Sequence, residues 1–307
     1  MTPRIVGIGT HIPDSRTDNS DLLEKFHLDA SFITQKLGIQ RRSLKHPSEK
    51  TSDLCIKAIL NLQSKVNLDL RTIKLLCVVT QNPDRRIPHT SAIVHQALGL
   101  SSECMTFDIS QGCSGYTHGI AIATAMMKSH DLQDALLLTC DPYSDIVNPC
   151  DKNTAMIFGD AATASYLSAK GTGYSLRDLD FGTLPGSATY LWHDGTLAMD
   201  AYGVLRSAAN EVPASVKRLL CRNELSTADI ESFLFHPGSL RLLEILRSSL
   251  GLDEHRAPFD IQDYGNTVSS SIPLMLATRF HARSASTHVL GGFGVGFTWA
   301  TAIVEFN

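Results

Sequence analysis

Several features that would mark other kinds of protein are missing from this chain of 307 residues. No stretch approaches the roughly 18 consecutive apolar residues of a membrane span. The opening Met1-Thr2-Pro3-Arg4-Ile5-Val6-Gly7 also lacks the apolar core of a secretory leader, so a cytoplasmic protein with no membrane partner is expected. Neither sign of charge dominates: 27 Lys and Arg against 31 Asp and Glu leave a formal charge of -4. That balance provides no broad basic field for nucleic acid or anionic lipid, although Arg41-Arg42 and Arg85-Arg86 are local basic pairs. Cysteine pairing is missing too. The seven cysteines (Cys55, Cys77, Cys104, Cys113, Cys140, Cys150 and Cys221) are odd in number and contain no Cys-x-x-Cys spacing. This argues against a disulfide framework and against a structural zinc site, and most of the thiols are expected to act as small buried hydrophobes.

What the chain does contain is a repeat, set in a composition of 43% hydrophobic residues that can fill one large core or two fused ones. Leu98-Gly99-Leu100 followed by Phe107-Asp108-Ile109 matches Leu250-Gly251-Leu252 followed by Phe259-Asp260-Ile261 with identical spacing. In each copy a helical segment, residues 91–98 and 240–250, stops at glycine and leads by a short loop into a predicted Phe-Asp-Ile strand. Upstream of each lies a short apolar strand, residues 73–80 and 230–236. Late in each half a glycine-rich turn precedes another strand, at 157–167 and 292–304. Helices and strands alternate throughout, which predicts two similar α/β halves, 1–170 and 171–307.

Such a duplication places chemistry at the seam. Beyond the first Phe-Asp-Ile run comes Cys113, in Gln111-Gly112-Cys113-Ser114-Gly115; beyond the second comes Asn266, in Tyr264-Gly265-Asn266-Thr267; and His236 closes the apolar run of the second half. Glycines around Cys113 permit a sharp strand-to-helix turn, and the apolar stretch 116–128 reads as a buried helix. A thiol at a helix N-terminus has its thiolate favoured by the helix dipole, so Cys113 is expected to be a ready nucleophile. Thioesters form readily and stay reactive, which suits cysteine to acyl transfer. An imidazole and a carboxamide can together hold the negative oxygen of an enolate or tetrahedral species without titrating. The turn Phe293-Gly294-Val295-Gly296 can add a backbone N–H to a second oxyanion hole. Taken singly, His236 is as well explained as a core histidine and Asn266 as a turn residue.

At these residues the chain resembles the ketoacyl-ACP synthase III family over nearly its full length. The motifs that carry the likeness are Gly112-Cys113-Ser114-Gly115, Phe158-Gly159-Asp160, Tyr264-Gly265-Asn266-Thr267 and Gly296-Phe297-Thr298-Trp299. The resemblance implies a thiolase fold, with duplicated mixed-sheet α/β halves in a layered αβαβα sandwich, assembled as a homodimer. It implies an acyltransferase with no tightly bound cofactor, in which acyl-CoA loads Cys113 and a malonyl thioester, on acyl carrier protein or CoA, is decarboxylated with the help of His236 and Asn266. The resulting enolate would attack the acyl-cysteine. By the same likeness the amides of Cys113 and Val295 form the acyl oxyanion hole, Phe32, Lys36, Lys152 and Arg241 meet CoA or pantetheine, and Ile87 and Leu205 shape the acyl pocket.

The chain also departs from the family. Phe32, Lys36 and Lys152 stand where a tryptophan and arginines are common, which predicts a weaker grip on CoA. His236-Pro237-Gly238-Ser239 replaces His-x-Ala-Asn, Phe158-Gly159-Asp160-Ala161-Ala162 is poorer in glycine than usual, and the segment 171–199 is short. These differences suggest a specialised fatty-acid or natural-product pathway. Two other functions stay open at this point: acyl transfer from Cys113 to an oxygen or nitrogen acceptor, and a catalytically silent subunit of a heterodimer. A condensation that deprotonates an acyl thioester is disfavoured because no glutamate stands near Cys113 in sequence, and a cysteine hydrolase is remote.

Overall fold

The computed structural model of the protein describes residues 2–280 and 286–307. The chain begins with β1 (Arg4–His11), β2 (Arg16–Asp18), β3 (Arg41–Ser43), helix α1 (Thr51–Gln63), β4 (Leu75–Val79), α2 (Thr90–Leu98) and β5 (Met105–Ile109). It continues with α3 (Gly115–Ser129), β6 (Asp134–Cys140), β7 (Ala162–Ser168), β8 (Tyr174–Thr183) and the hairpin of β9 (Leu191–Asp194) and β10 (Thr196–Met199). The remainder is α4 (Ala201–Arg222), β11 (Ser232–Phe235), α5 (Leu240–Leu250), α6 (Ser271–Ala277), β12 (Thr287–Gly294) and β13 (Thr298–Phe306). Both helices expected to stop at glycine do so, with Gly99 and Gly251 in the left-handed region at φ 60° and 65°.

Nine strands hydrogen-bond in the order β11-β12-β13-β8-β1-β7-β6-β4-β5. The first half runs β1 antiparallel to β7, β7 antiparallel to β6, and β6 parallel to β4; β8, β13, β12 and β11 repeat those relations in the second. Among the described residues, only β1 and β8 pair between the two groups, through Arg4 with Ser175 and Ile5 with Tyr174. The strands therefore form two sheets that touch at a corner.

Helix α3 explains why those sheets face each other. Tyr116, Ile120, Ala123 and Met127 form one buried stripe and Thr117 and Thr124 another, so the helix is apolar or neutral around most of its girth. It packs on β4 and β6 on one side and on β8, β12 and β13 on the other. Helix α6 lies in the same layer, against β1 and β7 and against β11 and β12. Helices α1 and α2 cover the outer face of the first sheet, and α4, with α5 against it, covers that of the second. The result is the five-layer αβαβα sandwich of the thiolase fold.

Two glycines mark the closest approaches. A Cβ on Gly9 would lie 2.2 Å from the Ala58 carbonyl oxygen, so α1 rests on β1 only because that side chain is absent. At Gly292 a Cβ would lie 2.7 Å from Ser114 Cα and 2.9 Å from the Cys113 carbonyl oxygen. There a strand of the second half lies against the backbone of the first, at the cysteine.

One sequence-based expectation fails. Phe107-Asp108-Ile109 ends β5, but Phe259-Asp260-Ile261 is not a strand. Pro258 has no N–H to give a ladder, and only Phe233 N–H, donating to Arg256 O at 2.6 Å, links β11 to this side. The chain turns instead toward the first half, where the Gln262 carbonyl accepts from Gln40 and Arg41 N–H at 2.8 and 3.0 Å. The basic pair Arg41-Arg42 is no open patch: Arg41 is ion-paired with Asp263, and buried Arg42 donates to Asn19 Oδ1. Among the described residues no helix is long and apolar enough to cross a membrane.

Candidate active site

Cys113 occupies the turn before α3, with Ser114 as the N-cap residue. Gly115 N–H closes the turn on Gly112 O at 2.7 Å, and a Cβ on Gly115 would strike Val79 Cγ1 at 2.4 Å. Side chains tie this turn to the other half: Gln111 Nε2 donates to Ser114 Oγ at 3.1 Å and to Thr298 Oγ1 at 3.0 Å. The sulfur is roofed by Gly294, where a Cβ would come within 3.0 Å of Sγ.

His236 follows β11 and is fixed by its N–H donating to Gly291 O at 2.8 Å and by an edge-on contact with the Phe293 ring, centroids 5.7 Å apart. Asn266 is held between the halves. Its N–H donates to Ile157 O at 2.9 Å and its carbonyl accepts from Gly159 N–H at 3.0 Å, an exchange possible because a Cβ on Gly159 would sit 1.8 Å from Tyr264 O. Asn266 Oδ1 accepts from Val268 N–H at 2.8 Å. That bond turns the amide nitrogen toward His236, with Nδ2 donating to Nε2 at 3.2 Å.

The three side chains line one cavity of about 130 Å³. Its other walls are hydrocarbon, chiefly Phe158, Met199, Val204, Leu205, Leu242 and Phe293, with Ser239 the one further polar side chain. Among the described residues, no Asp, Glu, Lys or Arg lines it. The converging groups come from the start of α3 in the first half and from the loops after β11 and before α6 in the second.

This enclosure sets the electrostatics. Burial lowers the His236 pKa to about 3, with the Val268 backbone opposing weakly, so the imidazole is neutral across the physiological range. Its Nδ1 is buried without a hydrogen-bond partner of normal geometry among the described residues, and the Val268 backbone is the one group that acts on the ring there, so the tautomer can change when substrate binds. With a substrate oxygen present, Nε2–H and Asn266 Nδ2–H can both donate to it. Burial also pushes the Cys113 thiol well up, and the nearby Asp141 carboxylate adds to this. The expected ready thiolate is thus corrected: the helix N-terminus is outweighed by exclusion of water, and the resting group is a thiol. Asp141 is itself buried, raised to about 6 by desolvation while hydrogen bonds from Ser269 and from Gln81 N–H oppose the shift.

A pH dependence follows. For an acid with a raised pKa the protonated form dominates below it, so alkylation of Cys113 by iodoacetamide should speed up by about tenfold per unit between roughly pH 6 and pH 9, without a plateau. Peptide mass spectrometry at Cys113 separates this from the exposed Cys150 and Cys221. A rate that levels off near neutrality would contradict the burial argument.

The other residues singled out from sequence are distributed around this centre. Leu205 lines the cavity. Val295 does not; its side chain covers Gly112 from the next cavity, while Gly294 faces the sulfur. Phe32 and Lys36 lie on the single helical turn Phe32–Leu37, Phe32 half-buried and Lys36 exposed. Lys152 is exposed in a loop, and Arg241 is exposed on α5, 3.9 Å from Glu244. None of these four lines the cavity. Ile87 is 86% exposed. Sequence reasoning noted Ser239, the α5 N-cap, only as a departure from the family motif and passed over Asp141, and neither belongs to a repeated pattern.

Comparison with known proteins gives the family of the chain. Residues 107–185 match the model of 3-oxoacyl-[acyl-carrier-protein] synthase III and residues 220–306 match that of its C-terminal domain. The beta-ketoacyl-[acyl-carrier-protein] synthase III of Neisseria meningitidis serogroup B is 30% identical over 99% of both chains. The chain belongs to the 3-oxoacyl-ACP synthase III family. Among solved structures, the synthase III of Thermus thermophilus superposes with a TM-score of 0.92 at 28% identity, covering 98% of each chain. The priming beta-ketosynthase of the R1128 polyketide pathway has the same fold, with a TM-score of 0.90 at 23% identity over 99% of this chain and 96% of that one. In this member of the family, Cys113 precedes a central-layer helix and His236 and Asn266 approach it from the second half.

Proposed function

We propose that this protein is a condensing acyltransferase of fatty-acid or polyketide synthesis, with Cys113 as the acyl carrier and His236 and Asn266 as the enolate-stabilising pair. The observation that carries the reading is the convergence of a thiol, a neutral imidazole and a carboxamide N–H on one apolar cavity that has no charged side chain in its lining. The Cys113 sulfur attacks the carbonyl of an acyl-CoA; the C–S bond to CoA breaks and CoA leaves with the thiol proton. A malonyl thioester then enters. Its carboxylate meets no cation among the cavity walls, so loss of carbon dioxide relieves a poorly solvated charge. The electron pair passes to an enolate oxygen held by His236 Nε2–H and Asn266 Nδ2–H. The enolate carbon attacks the acyl carbonyl, a carbon–carbon bond forms, the C–S bond to Cys113 breaks, and the sulfur takes up a proton.

The finer parts of the reading are proposals of the same kind. Acyl-CoA and the phosphopantetheine arm of acyl carrier protein are the partners, with exposed Lys36, Lys152 and Arg241 offered to phosphate groups at the surface and the amides of Cys113 and Val295 offered to the acyl oxygen. No tightly bound cofactor takes part in this scheme. A homodimer is supported by β5, an edge strand paired only with β4 among the described residues, and by exposed Met105 and Ile87 on the same half, and the cytoplasm is its proposed compartment.

Incubation of the protein with an acyl-CoA and malonyl thioester, on CoA and on acyl carrier protein, is expected to give one 3-oxoacyl thioester and one carbon dioxide per CoA released. Acyl transfer to an alcohol or amine without carbon dioxide would replace this reading by the oxygen- or nitrogen-acceptor alternative.

A further inference from the structure

Beside the cavity shared by Cys113, His236 and Asn266 lies a larger one of about 300 Å³. Leu191 lines both and forms the partition. The second cavity reaches the cysteine turn: a Cβ on Gly112 would lie 2.6 Å from Gln81 Oε1 and 3.1 Å from Val295 Cγ2, and both of those residues line it. Cys113 packs in one buried cluster with Tyr143, Leu191 and Leu197, which also face the second cavity. An acyl group on the sulfur cannot fill the first cavity while another thioester presents its carbonyl to His236 and Asn266. The second cavity, which meets the cysteine turn at Gly112, offers space for it.

Its inner wall is polar. Tyr143, only 2% exposed, donates its O–H to Gln81 Oε1 at 2.6 Å. Burial, reinforced by Asp141 and Cys113, holds that phenol far above its ordinary range, so it stays a donor. The bond fixes the amide orientation and occupies the oxygen of Gln81. Its Nε2 donors have no partner among the described residues. A hydrocarbon chain packed there would shut these donors away from water without compensation, which is costly. A carboxylate would find neither Lys nor Arg among the described lining residues, where exposed His193 is the one basic side chain. A neutral oxygen meets both conditions.

We propose that the second cavity selects a short acyl group bearing a neutral oxygen, a hydroxyl or carbonyl beyond the thioester carbon, with Gln81 Nε2 as the donor that reads it. This rests on Cys113 carrying the acyl group. It concerns loading only, so the carbon dioxide step does not enter the test.

The test compares rates of Cys113 acylation, read by intact-protein mass, with 3-hydroxybutyryl-CoA and butyryl-CoA. The hydroxylated thioester is expected to load about tenfold faster in the wild type. Gln81→Leu should bring the ratio to one or below, and Tyr143→Phe, which frees the amide to rotate, should lower it in part. Thermal unfolding near that of the wild type, with Cys113 still modified by iodoacetamide, would show that both variants fold. A wild-type ratio of one or less, or a ratio unmoved by Gln81→Leu, overturns the proposal. If no thioester adds mass while iodoacetamide still modifies Cys113, the acyl-cysteine reading itself falls and this inference falls with it.

Discussion

Cys113→Ala is expected to abolish the acyl adduct and to lower formation of 3-oxoacyl product by at least about a thousandfold. The substitution deletes one buried sulfur beneath Gly294, and alanine fits the turn that Gly112, Ser114 and Gly115 define, so thermal unfolding should stay near that of the wild type. The informative part is what survives. His236 and Asn266 keep their mutual hydrogen bond without the sulfur, so slow decarboxylation of malonyl thioester should persist in Cys113→Ala. Isotopic carbon dioxide release, measured beside intact mass, separates the two half-reactions. An adduct that remains in the variant would remove Cys113 from its role.

The converse holds for the second pair. His236→Ala and Asn266→Ala should still take an acyl group, while condensation falls by about a hundredfold to a thousandfold each, the usual effect of deleting one donor from an oxyanion site. The double variant should lose less than the product of the two, because each side chain orients the other across the 3.2 Å contact. Asn266→Ala also strips Val268 N–H of its acceptor, so the loop before α6 should loosen, and Asn266 should show the larger drop in stability. Single-turnover mixing of preformed acyl-enzyme with malonyl thioester measures the condensation step directly. Undiminished carbon dioxide release in both variants would favour acyl transfer without decarboxylation.

Much of the site was legible because its chemistry sits at points where local sequence signals coincide. Cys113 and Asn266 each lie where a strand-like run gives way to a glycine turn and a buried helix, and His236 directly follows the strand equivalent to β4; the repeat itself flagged all three. What the sequence concealed depends on distance in the chain. Gln81 and Tyr143 meet by a hydrogen bond across 62 positions, and neither stands in a repeated motif. The protonation of Cys113 follows from how completely distant segments bury it, which the helix start alone cannot reveal. The missing second Phe-Asp-Ile strand was hidden for a related reason: Phe259 and Ile261 carry a strand pattern, but Pro258 and the pull of the Gln262 carbonyl toward Gln40 override it.

Helix α3, sheathed by strands from both repeats, has a bearing on how this chain can be re-engineered. Cutting the polypeptide near Gly171 would strand Tyr116, Ile120 and Met127 on a naked surface, so neither fragment is a viable module. Grafts and permutations should open instead at solvent-facing tips such as Gly186 or Gly195, where a Cβ would meet nothing within 4 Å, with glycine kept at these positions because φ is 78° and 77°.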